Sequence, residues 1–202
     1  VVSKTGGRCL HHHGCSSTEP QAARVDVIGY ACLVAIMSMG RGYHRTSEAK
    51  LLRQTIDNDA PSPVVTSAGA LIDGIKTLGA KRVSILTPYM KPLTALVVDY
   101  LEDAGIQVVD SISLEIPDNL KVGLLDPRAP IEITRNLNLK GVDAVVASAC
   151  VQMPSLASIQ PIEDRIGLPV LSSSVATAFA MLKRLGLETS VPGFGSLLSG
   201  QY

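Results

Sequence analysis

Cys32 and Cys150 stand in the same local context in the two halves of the chain. The first closes the run V-D-V-I-G-Y-A-C-L and the second the run V-D-A-V-V-A-S-A-C-V. Each run is apolar, opens on Val-Asp and closes on Ala-Cys, so each reads as a buried parallel strand that delivers a thiol at its carboxyl end. Ligand crevices in open α/β sheets lie at that end of the strands. Two thiols facing one crevice point to chemistry done by a cysteine pair, through nucleophilic attack, proton transfer or both. A single cysteine is commonly just a small buried hydrophobe, and four cysteines in a secreted miniprotein would read as disulfides. The repeated context in a chain of 202 residues favours the functional pair.

The elements that must position these thiols repeat as well. After Cys32 a helical stretch runs to about Asn58, followed by the strand-and-turn sequence Pro63-Val64-Val65-Thr66-Ser67-Ala68-Gly69 and a helix ending at Leu78-Gly79. After Cys150 a helix near Ser155 to Ile166 precedes Pro169-Val170-Leu171-Ser172-Ser173-Ser174 and a helix ending at Leu185-Gly186. Strands alternating with helices specify parallel βαβ units. The expected fold is α/β, with two pseudo-symmetric Rossmann-like halves, parallel sheets and the active site between them. Residues 24–67 and 179–202 form the first half and 68–178 the second.

The second half has more chain ahead of its cysteine. A strand at Arg82–Leu86, a loop, a helix from about Leu93 to Ala104 and a strand from Ile106 to about Ile112 lead toward Cys150, 68 positions beyond Arg82, whereas only 31 residues precede Cys32. The expectation is a first half lacking its N-terminal strand and helix. Residues 1–23 have neither periodicity and read as a disordered or non-native segment. Their Cys9, His11, His12, His13 and Cys15 match no standard zinc spacing, so no metal is expected.

Lysine plus arginine and aspartate plus glutamate number 18 each, which argues against a nucleic-acid surface and leaves a small molecule as the expected partner. No run is long enough to span a bilayer, and the start lacks the order of a secretory signal. The expectation is a cytoplasmic protein with reduced thiols.

From Arg24 onward the chain resembles the maleate cis-trans isomerases of the aspartate/glutamate racemase superfamily. The likeness is carried by Y-A-C-L-V-A-I-M-S-M-G, T-P-Y-M-K-P-L-T, L-E-I-P-D-N-L and S-A-C-V-Q-M-P-S-L. The resemblance implies a homodimer of two-lobed subunits, no cofactor, and a small dicarboxylate, maleate, as substrate. It further implies that Cys32 is the nucleophile, Cys150 the proton-donating partner, Tyr89 a substrate-anchoring phenol and Asn119 an amide that contacts carboxylate. The backbone N–H groups of Leu33, Val34, Val151 and Gln152 would hold carboxylate too. Such enzymes also open with a strand and a Pro-Ser-Ser-Asn loop that binds substrate, and that motif is not found here.

Isomerising maleate to fumarate requires the carbon–carbon double bond to become single for a moment, and conjugate addition of a thiolate achieves this. A free cysteine, with a pKa near about 8.5, is little ionised at neutral pH, so donors at the strand end must support the anion. Beside the named residues, Ser67 and Ser172 to Ser174 are candidate donors. His44 in G-R-G-Y-H-R could be a general base, although a histidine at a helix start is usually only solvated, and Arg41 and Arg45 could attract dianions. The glycines of Pro192-Gly193-Phe194-Gly195 fit no phosphate loop; this turn is expected to pack on the first half. Alternatives are a two-thiol amino-acid (aspartate, glutamate or hydantoin) racemase, disfavoured because Leu33 and Val151 rather than Asn-Thr follow the thiols; an arylmalonate decarboxylase, which needs only the second thiol; and an inactive remnant.

Overall fold

The computed structural model describes residues 25–202, so the expectations for Cys9, the three adjacent histidines and Cys15 lie outside the described residues. Among the described residues six strands form two parallel sheets. In the smaller, β1 (Ile28–Tyr30) pairs with β2 (Val64–Thr66), Tyr30 standing opposite Thr66. The larger contains β3 (Arg82–Thr87), β4 (Gln107–Ser113), β5 (Ala144–Ser148) and β6 (Val170–Ser172) in the order β4-β3-β5-β6. Every residue of β5, Ala-Val-Val-Ala-Ser, is buried, as a parallel strand covered on both faces must be.

Eight α-helices connect the strands among the described residues: α1 (Leu33–Met37), α2 (Tyr43–Asp57), α3 (Ser67–Thr77), α4 (Lys91–Asp103), α5 (Asn119–Val122), α6 (Ala129–Ile133), α7 (Leu156–Ile166) and α8 (Ser173–Arg184). None is long and apolar enough to cross a membrane. The equivalent helices α3 and α8 pack extensively on each other. Each starts on a hydroxyl cap, the Thr66 oxygen accepting from the Gly69 N–H at 3.1 Å and the Ser172 oxygen from the Val175 N–H at 3.3 Å, which satisfies a donor the helix itself cannot. Close approach requires Gly74, where a Cβ would stand 3.2 Å from both Ala176 and Leu197.

Three expectations need correction. The single helix after Cys32 is two, α1 and α2, because Gly40 (φ 111°) and Gly42 (φ 66°) adopt backbone conformations that break it. Of the two cysteines among the described residues, Cys32 is exposed and Cys150 is buried; the run ahead of Cys32 forms a three-residue strand with half-buried Gly29 and Tyr30. The turn at 192–195 packs on the second lobe, not the first. There the Gly195 N–H donates to the Gln160 side-chain oxygen at 3.0 Å, and the Glu163 carboxylate accepts from Ser196 Oγ at 2.7 Å and from the Val170 N–H at 2.8 Å.

Gly69 stands in a tight spot just beyond the end of β2. A Cβ there would lie 3.0 Å from Glu48 Oε1 and Thr66 Oγ1 and 3.1 Å from the His44 ring. Gly69→Ala should therefore destabilise the fold by about 1–3 kcal/mol through overpacking, read as a lower urea midpoint at unchanged slope.

Candidate active site

The sheet order fixes where a cleft can form. From β3 the chain proceeds through α4 to β4 on one side, and from β5 through α7 to β6 on the other, so β3 and β5 flank a topological switch point. Ligand crevices open at the carboxyl ends of such strands. Tyr89 lies two residues beyond the end of β3, Cys150 two beyond β5 and Cys32 two beyond β1. One spacing on three strands brings three reactive side chains to one level.

They meet in a cleft of about 100 Å³ lined by Ala31, Cys32, Leu33, Val34, Tyr89, Asn119, Val122, Cys150, Val151 and Gln152. All eight residues that the family resemblance assigns to the site are among them. Ala31 and Val122 were not singled out; Ala31 is carried in with Cys32, and Val122 was invisible because nothing in N-L-K-V announces a one-turn helix folded over the site. The volume falls below the roughly 300–1,000 Å³ of sites for drug-sized ligands, so the cleft suits a small substrate.

Local hydrogen bonds hold each wall. The Ala149 N–H donates to the Leu86 carbonyl at 2.9 Å, the Ser148 hydroxyl to the Cys150 carbonyl at 2.8 Å, and the Cys150 N–H to Ser148 Oγ at 3.3 Å. The Gln152 amide donates to the Asn119 carbonyl at 2.6 Å and ties the Cys150 loop to α5, whose first turn is capped by Asp118 accepting from the Leu120 N–H at 2.9 Å. Cys32 is the residue before α1, and its carbonyl accepts from the Ile36 N–H at 3.3 Å. At such a helix start the N–H groups of Leu33 and Val34 have no partner inside the helix and are free to donate to a ligand.

Tyr89 is nearly buried. Burial pushes its phenol far above the ordinary range, and charge at Cys150, a hydrogen bond with Cys150 and charge at Cys32 push the same way. It therefore keeps its proton and serves the cleft as an O–H donor. Among the described residues no group of three His, Cys, Asp or Glu side chains could hold a metal ion.

The other sequence candidates lie elsewhere. Ser67 and Ser173 are fully buried with hydroxyls that have no hydrogen-bond partner, and neither they nor Arg45 line the cleft. Arg41 binds Asp99 and approaches Asp103 at 3.9 Å. His44 is neither solvated nor in the cleft; it is buried, with Nδ1 2.7 Å from the Tyr100 hydroxyl. Burial lowers its pKa first of all, Glu48 and Asp73 opposing this while Arg45 and Lys76 add to it. The folded state thus binds this proton less readily than the unfolded chain. The stability contributed by the neutral ring is complete above its ordinary value of 6.5 and is lost as the pH falls below it toward the depressed native value. Melting curves should show this acid-side loss in the parent protein and a smaller one in His44→Asn.

Two parallel α/β lobes, each sending one cysteine into a shared cleft, place the chain in the class of α/β enzymes of the racemase-like superfamily. The arylmalonate decarboxylase family matches residues 15–198. The maleate isomerase of Geobacillus stearothermophilus is 59% identical over 180 residues, covering 89% of this chain and 72% of that protein. The crystal structure of a cysteine-to-alanine variant of the maleate isomerase Iso from Pseudomonas putida S16 with maleate is similar with a TM-score of 0.90 at 57% identity, over 92% of this chain and 74% of that one. A Nocardia farcinica maleate cis-trans isomerase in which a cysteine is replaced by serine, and which holds a covalently bound succinylcysteine intermediate, is similar with a TM-score of 0.89 at 41% identity, over 92% and 76%. The chain belongs to the maleate isomerases, a family of cis-trans isomerases.

Proposed function

We infer that this chain interconverts maleate and fumarate, with Cys32 as nucleophile and Cys150 as proton donor and acceptor. The observation that carries the reading is the meeting of both thiols, the Tyr89 phenol and the Asn119 amide in one small cleft. The Cys32 thiolate adds to one alkene carbon, and the π electron pair moves to the other carbon and its carboxylate. The Cys150 thiol delivers its proton to that carbon, which leaves a succinyl group on Cys32 with a single bond between its central carbons. Rotation about this bond exchanges the cis and trans arrangements. The Cys150 thiolate then takes a proton back, the double bond re-forms, and the carbon–sulfur bond breaks to return the Cys32 thiolate. Atoms and charge balance over the cycle, and no external oxidant or reductant enters.

The succinylcysteine in the Nocardia farcinica enzyme supports this sequence, because a succinyl adduct carries a second hydrogen on the carbon that sulfur did not attack. Negative charge builds on the substrate carboxylate during addition, and donors already aimed at it lower the barrier. Tyr89, Asn119 and the N–H groups of Leu33, Val34, Val151 and Gln152 are assigned this role. Chemistry that depends on free thiols also fits a reducing compartment such as the cytoplasm.

Incubation with maleate, followed by proton NMR for fumarate and by intact mass, tests the reading. Fumarate should accumulate in the parent protein. The absence of both turnover and a mass gain of one substrate would refute the assignment.

A further inference from the structure

Cys32 is delivered by α1, a helix of five residues and too short to hold itself in place. Its buried Leu33, Ile36 and Met37 face the core, and it packs against α2, α3 and α4. The chain that follows is fastened to the other lobe. The Arg41 guanidinium grips Asp99, with its Nε donating at 3.0 Å. At the start of α2, the His44 backbone N–H donates to the Tyr100 hydroxyl at 3.0 Å, and that hydroxyl lies 2.7 Å from His44 Nδ1. Asp99, Tyr100 and Asp103 all belong to α4, which begins two residues after Tyr89. One helix thus connects the loop that presents Tyr89 to the segment that presents Cys32.

The two fastenings differ in weight. Arg41 and Asp99 are more than half exposed, and exposed ion pairs contribute little. His44 and Tyr100 are 7% and 2% exposed, and cutting a buried hydrogen bond strands a polar group without solvent. Tyr100 accepts from the His44 backbone N–H, and with a neutral ring its own proton can be donated to Nδ1, so that one hydroxyl serves two bonds to the same residue. On the same helix face one turn on, Glu48 Oε1 accepts from the Thr66 N–H at 2.9 Å and from Thr66 Oγ1 at 2.8 Å. The first lobe is thereby braced at the cap of α3 as well.

We propose that His44 and Tyr100 form a buried clasp between the lobes that sets Cys32 against Tyr89 and Cys150, making both of them positioning residues for the reaction and neither an acid or base in it. The proposal rests on Cys32 being the reactive thiol. Reaction geometry is steep in distance, a displacement of about 1 Å being able to cost about a hundredfold.

The test compares Tyr100→Phe, His44→Ala and His44→Asn with the parent protein. In the asparagine variant Oδ1 stands where Nδ1 was and accepts from Tyr100 without titrating. Val108→Ala, on the edge strand β4 away from the cleft, serves as a control for lost stability. Tyr100→Phe and His44→Ala should each lower kcat about tenfold with KM within about threefold of the parent, the signature of lost transition-state geometry. His44→Asn should recover most of kcat, and Val108→Ala should leave it unchanged at a comparable fall in Tm. Independently of turnover, the rate of Cys32 alkylation by N-ethylmaleimide, read by peptide mass spectrometry, should change at least about threefold in Tyr100→Phe while that of Cys150 stays constant. Unaltered kcat and alkylation in Tyr100→Phe, or the same kcat loss in Val108→Ala, would overturn the clasp. A parent protein without turnover whose Cys32 alkylation still responds would refute the maleate assignment and keep the clasp.

Discussion

Replacing Cys32 with alanine should lower maleate turnover by roughly 10⁴-fold or more, the order expected when a covalent nucleophile is deleted, and should abolish any substrate adduct. The strength of this experiment lies in where the residue sits. Cys32 is exposed, so removing its sulfur opens no cavity in the core, and surface substitutions of this kind usually change stability by no more than about 0.5 kcal/mol. Lost activity at unchanged Tm would therefore report chemistry. The backbone of Leu33 and Val34 is untouched, so substrate should still bind, and maleate should protect Cys150 from alkylation in the variant as it does in the parent. A variant that kept even a hundredth of the parental rate would move the nucleophile to Cys150 and reverse the two roles.

The part of this site carried by strand ends was legible in the sequence. Apolar runs closing on Ala-Cys mark where parallel strands stop, and the structure puts Cys32 and Cys150 at the same distance past β1 and β5, although only β5 is fully buried. Tyr89, after Thr87-Pro88, follows the same rule at β3. Side chains at the strand ends converge because both sheets are parallel; the pattern picked out the two cysteines, and the family resemblance picked out Tyr89. Contacts between distant helices have no such signature. His44 looked like a solvated residue at a helix start, and it is contacts with Tyr100, 56 positions away, and with the segment at Gly69 that bury it. The break between α1 and α2 was written in Gly40-Arg41-Gly42, whose two glycines both take positive φ.

Replacing Cys150 with serine should lower turnover by about 10²- to 10⁴-fold, the range contributed by a positioned general acid and base, and should leave substrate attached to Cys32. Serine keeps the shape of the side chain, which matters for a residue only 6% exposed, but its hydroxyl is a far weaker acid than a thiol. Addition of the Cys32 thiolate still proceeds, and water can supply the proton that completes the succinyl adduct. Elimination requires that a proton be removed again beside the carboxylate, and without a thiolate at position 150 nothing in the cleft is suited to do so. Tyr89 cannot substitute, because burial and the neighbouring thiols hold its proton well above the ordinary phenol range, and a base must give up its own proton first. Intact mass after exposure to maleate should show one substrate per chain, mapped to the Cys32 peptide and missing from the Cys32→Ala/Cys150→Ser double variant. Parental turnover in Cys150→Ser with no trapped adduct would mean that solvent, reaching the carbon through the open side of Cys32, carries the proton in both directions.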